Sequence, residues 1–424
     1  MTTKPRILKG FMELSPSDQI LFDNLMNIIE TTYKKYGFYH LNTPVIECEE
    51  VLLAKTGGDT NKEVYRFSRG DTKMALRFDL TVPLARYVAM NHKSLPFPFK
   101  RYQIDKVFRG ENTQRGRFRE FYQCDIDIIG SETLDVAYDA EFPNIICEIF
   151  ELMNLNFQIQ INNRKLLVGF VEQFRKDESV NPIDVINLID KRNKIKANEF
   201  QTRMTEYIPA FEVLNEFISI SDMRGLFEFT SRFEITNPNY MIGLHELEIV
   251  FSEITNQERS DCVLKHSVRS KLNLSISRGL DYYTGTIYET ILLDSPECGS
   301  ICSGGRYDNL ASAYTNSKFP GVGISIGLTR LFDILKSKLK VESTDNCHID
   351  FLVIPFDDSK INEAGRVAKE LRSQNFKVDV VKEHINLKSK FKYANKLKVN
   401  RVIIVNSDLQ LKDMKTGEQL EFRL

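Results

Sequence analysis

The amino-terminal part of the chain predicts an amphipathic helix followed by a strand. From residues 15–18 onward, apolar residues recur every three or four positions, which is the period of one helix face. Serine and aspartate residues within 15–18 can cap the start of this helix, and Gly37 can end it. The stretch 38–47 then predicts a strand with Pro44 near its end, where a proline is tolerated.

Two hairpins are predicted in the next hundred residues. Gly70 and Asp71 separate two runs of strand-forming residues, and the polar residues 112–116 separate a second, longer pair. The predicted elements are, in order, a hairpin over 64–78, a helix over 82–90, a hairpin with arms 100–111 and 117–130, and a helix over 133–155.

The pattern changes at about residue 160. From about 160 to 265, helical periods alternate with long polar connections, which predicts a largely helical insertion. Strands are expected to resume at 273–293, and 321–335 predicts a short strand that runs into a helix.

From His348 onward, apolar strands and amphipathic helices alternate regularly. The order strand, helix, strand, helix, strand predicts a small sheet domain with mostly parallel strands and right-handed crossovers. The polar stretch 342–346 is a natural linker. We therefore expect one domain over 1–340 and a second over 346–424.

Composition indicates a globular protein of the cytoplasm. The 424 residues, 27% charged and 42% hydrophobic, suit two or three soluble domains. No apolar run approaches the about 20 residues of a membrane span, and the N-terminus lacks a secretory apolar segment. Seven cysteines without a CxxC pair favour reduced thiols and give no zinc-site spacing. With a net charge of −1, any contact with nucleic acid must come from a local basic patch.

The loop of the second hairpin is rich in arginine. The arginines are Arg109, Arg115, Arg117 and Arg119. Their rigid forks suit phosphate or carboxylate, although a solvated, salt-bridged hairpin is the commoner outcome of such a charge run. Strand alternation favours a nucleotide pocket, because it would place Arg117 and Arg119 on the same face as Phe121, and Arg109 on the same face as Glu111.

Three further stretches carry candidate chemistry. Residues 278–289, RGLDYYTGTIYE, fit either a turn that leads into a strand or a ligand site. The glycine-rich stretches 304–310 and 321–327 contain neither GxxxxGK[ST] nor GxGxxG, so we reject both phosphate-loop signatures. We interpret the glycines of 321–327 as close approaches of a strand to another backbone or a ligand. Arg330, after the second stretch, can reach a ligand or cap a surface.

Taken in order, these motifs resemble those of class II aminoacyl-tRNA synthetases, and specifically the histidyl-tRNA synthetase family. The class II likeness rests on the helix and strand ending at Pro44, the FRxE…RxxxF hairpin (108–111 and 117–121), and the glycine-rich strand and helix reaching Arg330. The family's two histidine motifs resemble RGLDYYTGTIYE and SGGRYDNL (303–310), and LRFDLTVPLARYVA (76–89) and REFYQCDIDI (119–128) match as well. The likeness covers essentially the whole chain.

The resemblance implies both a fold and an activity. The fold is an α+β catalytic domain with a mostly antiparallel sheet flanked by helices, a helical insertion, and a small C-terminal α/β anticodon-binding domain, assembled as a homodimer. The activity is the ATP-dependent conversion of L-histidine to histidyl-adenylate, followed by transfer to the 3′-terminal ribose of tRNA(His). Mg²⁺ would accompany the ATP.

The resemblance also implies roles for individual residues. Arg278 and Arg109 would be catalytic, both beside the α-phosphate. The ATP-binding residues would be Arg109, Glu111, Arg117, Phe121 and Arg330, with Arg117 at the γ-phosphate and Phe121 and Arg330 about the adenine. The histidine-binding residues would be Asp79, Leu80, Thr81, Arg109, Gln123, Asp127, Arg278, Tyr282 and Tyr283. Of these, Asp79, Thr81 and Gln123 would receive the amino group, and Asp127, Tyr282 and Tyr283 would line the imidazole pocket.

Contact with tRNA is expected in two places. The predicted residues are Gln114, Arg115, Lys388, Lys390 and Lys392. The lysines belong to a basic run over 382–401, which can instead be an ordinary solvated helix face. No side chains are assigned to a metal site.

A non-catalytic alternative is a synthetase-like regulator of ATP phosphoribosyltransferase that senses histidine. Such a paralogue lacks the terminal domain and the full set of ATP-binding arginines, both of which this chain has. The departures from the family pattern are small. Thr329 stands where Glu is common, and Asp79 and Asp127 stand where some members have Glu.

Overall fold

The computed structural model describes residues 2–54, 60–113, 116–192, 195–257, 269–277, 283–308, 311–339 and 347–424. The chain divides into two compact units. One unit comprises Met1–Met12 and Leu25–Lys340, and the other comprises Glu13–Asn24 and Val341–Leu424. Among the described residues, no helix has both the length and the apolar composition that crossing a membrane requires.

The strands before residue 339 form two sheets. They are β1 (Tyr39–His40), β2 (Ile46–Cys48), β3 (Arg66–Arg69), β4 (Thr72–Leu76), β5 (Phe99–Phe108), β6 (Glu120–Ile129), β7 (Phe157–Asn163), β8 (Ser270–Leu272), β9 (Thr286–Leu292), β10 (Ser300–Tyr307) and β11 (Gly321–Gly327). The larger sheet has the order β1-β5-β6-β11-β10-β9-β7-β8, and the smaller has the order β2-β4-β3. The six central strands of the larger sheet pair antiparallel, and only its two outer pairs are parallel. The mostly antiparallel sheet is therefore confirmed.

Twelve α-helices are described before residue 339. They are α1 (Pro16–Lys35), α2 (Glu49–Leu53), α3 (Thr60–Glu63), α4 (Thr81–Asn91), α5 (Glu141–Leu152), α6 (Arg164–Phe174), α7 (Pro182–Asp190), α8 (Ala197–Thr205), α9 (Phe211–Phe217), α10 (Met223–Arg232), α11 (Pro238–Gln257) and α12 (Leu328–Ser337). Short 3₁₀ helices occupy Val136–Ala140 and Pro296–Cys298. The helix predicted over 133–155 thus begins as a 3₁₀ turn, which Asp135 caps by accepting from the backbone N–H of Ala137.

The single strand predicted over 38–47 is wrong, because this stretch is divided between the two sheets. β1 pairs with β5 in the larger sheet, whereas β2 pairs with β4 in the smaller one. Pro44 lies between them and has no N–H to offer a ladder. The break is fixed by Arg77, whose guanidinium donates to the carbonyl of Thr43 at 2.7 Å and whose backbone N–H donates to Val45 at 3.0 Å.

Strands do resume in this region, but 273–277 are not part of one. β8 ends at Leu272, where the side chain of Asn273 accepts from the backbone N–H and the hydroxyl of Ser275. This local turn competes with strand pairing. Pairing resumes only at Thr286. Residues 278–282 lie outside the described residues.

Helices α6 to α11 occupy 164–257, so the helical character predicted after residue 160 is confirmed there, although β7 extends to Asn163. Their core is aromatic, with the rings of Phe170 and Phe217 stacked at 3.9 Å between centroids. Two glycines allow α6 and α11 to touch. A Cβ on Gly169 would lie 2.1 Å from the backbone nitrogen of Tyr240, and one on Gly243 would lie 2.3 Å from that of Leu166.

The second unit contains a five-stranded sheet. Its strands are β12 (Phe351–Pro355), β13 (Val378–Val380), β14 (Arg401–Val405), β15 (Leu409–Asp413) and β16 (Gln419–Glu421), in the order β13-β12-β14-β15-β16. Its helices are α13 (Ile361–Ser373) and α14 (Leu387–Leu397). They cover opposite faces, since α13 packs on Val353 and Ile403, and α14 on their neighbours Leu352 and Val402.

The sequence interpretation missed the last two strands of this sheet. β13, β12 and β14 are parallel as predicted, but β15 and β16 add an antiparallel edge. The β15–β16 turn depends on Gly417, whose φ is +78°, and on Asp413, whose carboxylate accepts from the backbone N–H groups of Lys415 and Thr416. Because both strands are short and polar, they lack the apolar alternation that marks a buried strand.

Candidate active site

One face of the larger sheet carries polar side chains from its central strands. Gln123, Asp125 and Asp127 alternate along β6, so all three project on this face. Across the register, their partners are Asp105, Gln103 and Arg101 on β5, and Gly327, Ser325 and Gly323 on β11. The small residues of β11 leave space above the strand, whereas the opposite face of β6 packs Cys124, Ile126 and Ile128 into the core. The register therefore creates a polar depression in the sheet.

The larger opening in this face is a cleft of about 430 Å³. Its lining residues are Arg109, Glu111, Gly116, Arg117, Phe118, Phe121, Gln123, Ser300, Ile301, Ser303, Ser325, Gly327 and Arg330. All five residues predicted to bind ATP are in this set. The structure thus brings together side chains that lie more than 200 positions apart in the chain.

Arg109 is held in place from two sides. Its Nε donates to the carbonyl of Phe78 at 3.0 Å, and its guanidinium carbon lies 5.1 Å from the ring centroid of Phe121. Such contacts order the side chain before any ligand arrives. Arg109 therefore presents a preorganised cation to the cleft.

Arg117 is less constrained than Arg109. Its side chain is 56% exposed, and it pairs with Glu111 at 3.3 Å. An exposed pair of this kind is worth little, so the guanidinium can turn to a phosphate at low cost. The alternation predicted for Arg117, Arg119 and Phe121 is wrong, because β6 begins only at Glu120. Arg119 instead donates to the backbone carbonyl of Glu111 at 3.1 Å, which supports the loop.

Arg330 approaches the cleft from the first turns of α12. Its guanidinium donates to the carbonyl of Cys298 and lies beside Gly299 and Gly116. Gly116 has a φ of +71°, a conformation that favours glycine. Arg330 and Phe121 both line the cleft, so the predicted placement of an adenine between them remains compatible with the geometry.

A smaller polar cavity, of about 30 Å³, shares Ser303 and Ser325 with the cleft. It is lined by Thr81, Asp125, Asp127, Tyr283, Ser303, Tyr307, Gly323, Ile324 and Ser325. At two positions near this cavity there is no space for a side chain, and both are glycine. A Cβ on Gly323 would lie 2.2 Å from Oδ1 of Asp127, and one on Gly305 would lie 2.8 Å from the ring of Tyr283. For Gly323, this confirms the interpretation of the glycines of 321–327 as close approaches.

Asp127 makes two buried contacts in this cavity. Its Oδ2 pairs with the guanidinium of Arg101 at 2.8 Å, and its Oδ1 accepts from the hydroxyl of Tyr307 at 2.9 Å. Arg101 is completely buried and also donates to the carbonyl of Leu80 at 3.2 Å. Burial raises the pKa of Asp127, while Arg101 and Tyr307 oppose that shift. Leu80 thus meets the site through its carbonyl, since its side chain is buried in the core.

Acceptors for an ammonium group lie beside the cavity. Asp79 accepts from the backbone N–H of Val82 at 3.0 Å at the start of α4, where Thr81 is the first helical residue. Burial raises the pKa of Asp79, whereas the N–H of Val82 and the charge of Arg109 lower it by less. Gln123 donates to Ser325 at 2.9 Å, and its carbonyl oxygen is buried with no partner among the described residues. A ligand amine can supply that missing donor.

Comparison with known proteins assigns the family. A family model described as Histidyl-tRNA synthetase matches residues 10–331, and one described as Anticodon binding domain matches residues 350–424. The chain belongs to the histidyl-tRNA synthetase family. It is 44% identical over 428 residues to the histidine–tRNA ligase of Clostridium tetani, covering 98% of this chain and 95% of that protein.

Solved structures agree with the family assignment. The crystal structure of histidyl-tRNA synthetase from Nostoc sp. PCC 7120 aligns with a TM-score of 0.90 and 34% identity, covering 99% of this chain and 97% of that one. The crystal structure of an ATP phosphoribosyltransferase regulatory subunit/histidyl-tRNA synthetase from Bacillus halodurans C aligns with a TM-score of 0.76 and 18% identity. At that identity the likeness shows a shared fold alone. That alignment covers 95% of this chain and 99% of that one.

The departure from the family pattern at Thr329 has a structural role. Its side chain is buried, and its hydroxyl accepts from the backbone N–H of Tyr122 on β6 at 2.8 Å. The contact ties the first turn of α12 to the strand that carries the site. A short hydroxyl here maintains the cleft wall.

Several predicted site residues are not reached by this description. Arg278 and Tyr282 of the first histidine motif lie outside the described residues, as do Gln114 and Arg115 of the hairpin loop. Tyr283 is described and lines the small cavity, where burial raises its pKa.

Two neighbouring residues of the second histidine motif have different roles, since Arg306 supports the fold and Tyr307 lines the cavity. Arg306 points away from the cavity and makes a buried ion pair with Asp139 at 2.7 Å. Tyr307, the next residue, points into the cavity and holds Asp127. Neither residue was predicted to have a role in the site, and neither were Arg101, Asp125 and Ser325. Strand alternation on β6 was the available signal, since Asp125 lies between two residues that were chosen.

Lys390 was wrongly grouped with the exposed lysines of α14. Its side chain is completely buried, and its Nζ donates to the carbonyl of Pro355 at 3.0 Å. This contact satisfies a backbone carbonyl at the end of β12. Lys388 and Lys392 are exposed, and Lys396 continues their row at four-residue spacing.

Proposed function

We propose that this chain is an ATP-dependent histidine–tRNA ligase that acts in the cytoplasm. It joins L-histidine to ATP as histidyl-adenylate, releases pyrophosphate, and transfers histidine to the 3′-terminal ribose of tRNA(His). The observation that carries the proposal is an arginine-lined cleft that adjoins a carboxylate-lined cavity on one sheet face. None of the six described cysteines forms a disulfide, which is in keeping with a reducing compartment.

The arrangement suits the joining of two anions. A carboxylate and a triphosphate repel each other, so the reaction needs fixed cations where charge develops. Arg109 is fixed beside Phe121, whereas Arg117 is free enough to follow the γ-phosphate. Arg278 is proposed beside the α-phosphate on the resemblance of its motif. Asp79 and Gln123 offer acceptors to the amino group, which would orient the substrate carboxylate toward the cleft.

Mg²⁺ accompanies the ATP in this proposal. Within the described ranges, no three or more His, Cys, Asp or Glu side chains are arranged to hold a metal ion. That fits an ion carried mainly by phosphates and water, since Mg²⁺ in such sites takes only one or two carboxylates. Glu111 lines the cleft and can contribute one of them.

A homodimer is also proposed, because apolar side chains are exposed on β1, on or beside the smaller sheet, and on α4. They are Tyr39, Val45, Ile46, Phe67 and Met90. Tyr39 lies on β1, the edge strand, and is 68% exposed. A cluster of exposed apolar side chains is typical of a surface that meets another chain.

Pyrophosphate exchange tests the function directly. The protein should exchange labelled pyrophosphate into ATP with histidine and with none of the other nineteen amino acids. The physical reason is that buried polar partners discriminate an imidazole far better than apolar fit does. Exchange with another amino acid would change the proposed specificity. Histidine binding without any exchange would favour the regulatory alternative.

A row of lysines on α14 is proposed to follow tRNA phosphates. We expect the combined change Lys388→Gln, Lys392→Gln and Lys396→Gln to weaken tRNA binding and flatten its salt dependence. Each lost phosphate contact lowers the log–log slope by about 0.7–0.9. Fluorescence titration of tRNA at several salt concentrations measures both effects, and pyrophosphate exchange should remain intact.

The control removes equal charge from the opposite face of the same sheet. Arg366→Gln, Lys369→Gln and Lys377→Gln change exposed cations on or after α13. This control should leave the salt slope near that of the unmodified protein. Equal slopes for both triple variants would assign the α14 lysines to ordinary solvation.

A further inference from the structure

Asp125 is a buried carboxylate with an unused oxygen in the small cavity. Its side chain is only 3% exposed, and it lines the cavity together with Asp127. Oδ1 of Asp125 is buried with no hydrogen-bond partner among the described residues. A buried acceptor without a donor is costly, so such groups usually await a ligand or a water.

Asp127 is not available in the same way. Its two oxygens are already engaged by Tyr307 and Arg101, at 2.9 and 2.8 Å. The guanidinium of Arg101, beside the cavity, therefore makes its direct ion pair with Asp127. Of the two carboxylates that line the cavity, Asp125 is the one with an oxygen that has no hydrogen-bond partner among the described residues.

The geometry points to Asp125 as a specificity-determining residue that accepts a hydrogen bond from a ring N–H of the bound amino acid. This inference rests on the proposed function and deepens it. Asp127 then serves chiefly to hold Arg101 and Tyr307 in place. Asp125 is thus added to the imidazole-lining residues that the resemblance implies, which are Asp127, Tyr282 and Tyr283.

The charges around Asp125 make its acceptor state sensitive to pH. Arg101 from β5 and Ser325 from β11 face it from the two neighbouring strands. Asp127 from its own strand and Asp79 from the segment before α4 add negative charge. Cys302 of β10 and Tyr283 are also close. Burial raises its pKa to about 7, and Asp127 and Asp79 add to the rise that Arg101 and Ser325 oppose. Near neutral pH, both protonation states are therefore populated.

The ionised carboxylate is the charge-assisted acceptor for the ring N–H, and it accepts more strongly than the protonated carboxyl. Because the folded-state pKa is raised to about 7, the acceptor is present above that pH and is lost as the pH falls through it. Asparagine resembles the protonated carboxyl, since it keeps one oxygen and adds a donor. The KM for histidine of Asp125→Asn, divided by that of the native protein, should therefore grow with pH.

The decisive measurement is the KM for histidine in pyrophosphate exchange, for the native protein and Asp125→Asn, between pH 6 and pH 8. We expect Asp125→Asn to raise this KM about tenfold or more at pH 8 and markedly less at pH 6, with the KM for ATP unchanged. A charge-assisted hydrogen bond is worth a change of that size. Titration of free histidine cancels in the ratio of the two KM values. A ratio that is constant across pH, or parallel losses for ATP, would overturn the inference.

Thermal stability gives a second measurement. The raised pKa means that the ionised carboxylate destabilises the fold, with a cost that grows from about pH 4 to about pH 7 and is complete at pH 8. Asp125→Asn should therefore raise the melting temperature more at pH 8 than at pH 5. A variant that fails to fold, or melts lower at pH 8, would show a structural role and also overturn the inference.

Failure of the proposed function would look different. If the native protein exchanges no pyrophosphate with histidine at any pH, the function itself is wrong, whatever Asp125→Asn does. If the native protein exchanges with histidine and Asp125→Asn keeps the same KM at pH 8, only the role of Asp125 is wrong.

Discussion

Replacing Arg109 with alanine is expected to slow histidyl-adenylate formation by about 10²-fold or more. One preorganised donor aimed at developing charge is worth about that much in rate. The structure shows why Arg109 qualifies, since Phe78 and Phe121 hold its guanidinium before any ligand binds. The kcat of pyrophosphate exchange measures the loss.

Arg109→Lys separates charge from geometry. Lysine keeps the cation but cannot offer both the Nε contact to Phe78 and a fork to the phosphate, so it should recover only part of the rate. Lys106→Ala is the matched control, because Lys106 lies on the same hairpin, projects from the opposite face and pairs with Glu120. A loss confined to KM, with kcat retained, would make Arg109 a binding residue only.

Asp127→Asn is expected to destabilise the catalytic unit and to raise the KM for histidine at least about tenfold. Removing one partner of a buried ion pair costs about 3–5 kcal/mol, because the other charge stays buried. Here that charge belongs to Arg101, which is completely buried. The KM for ATP should change little, since Asp127 does not line the larger cleft. Thermal unfolding and pyrophosphate exchange on one variant measure both effects.

A double variant separates the two consequences. Arg101→Met combined with Asp127→Asn removes both charges, so much of the lost stability should return. The KM for histidine should stay high, because the cavity has lost its charge pattern. Recovery of both stability and KM would show that Asp127 acts on the substrate only through the fold. The cation that pairs with Asp127 is Arg101 of the neighbouring strand β5.

Much of the local structure was predictable from neighbouring residues. The hairpin β5–β6, the strand β11 leading into α12, and the alternation in the second unit follow from periodicity, which depends only on residues nearby in the chain. The strand predicted over 38–47 and the start of the strands predicted over 273–293 differ from the structure where side chains compete with strand pairing. At 38–47 the competitor is Arg77, and at 273–293 it is Asn273.

The residues that gather around the cleft were also predictable, but only through resemblance. No local pattern connects Arg109 with Arg330, because the register of β6 with β11 is what brings their neighbourhoods together. Resemblance supplied that long-range information for the ATP residues. Resemblance did not distinguish a buried lysine from its exposed neighbours. Lys390 was therefore predicted to contact tRNA together with Lys388 and Lys392, although its side chain is buried.

By itself, the sequence determined the family, the order of the helices and most strands, and the set of arginines around the cleft, since these depend on motifs and on short-range periodicity. The tertiary structure alone decided which buried groups satisfy one another. Asp125 and Asp127 are equivalent in local sequence, two positions apart on one strand face. Only packing against β5 and β10 places Arg101 and Tyr307 at Asp127 and leaves an oxygen of Asp125 for a ligand. Hydrogen bonds and charges in a buried site depend on distances between strands, which short-range sequence patterns do not determine.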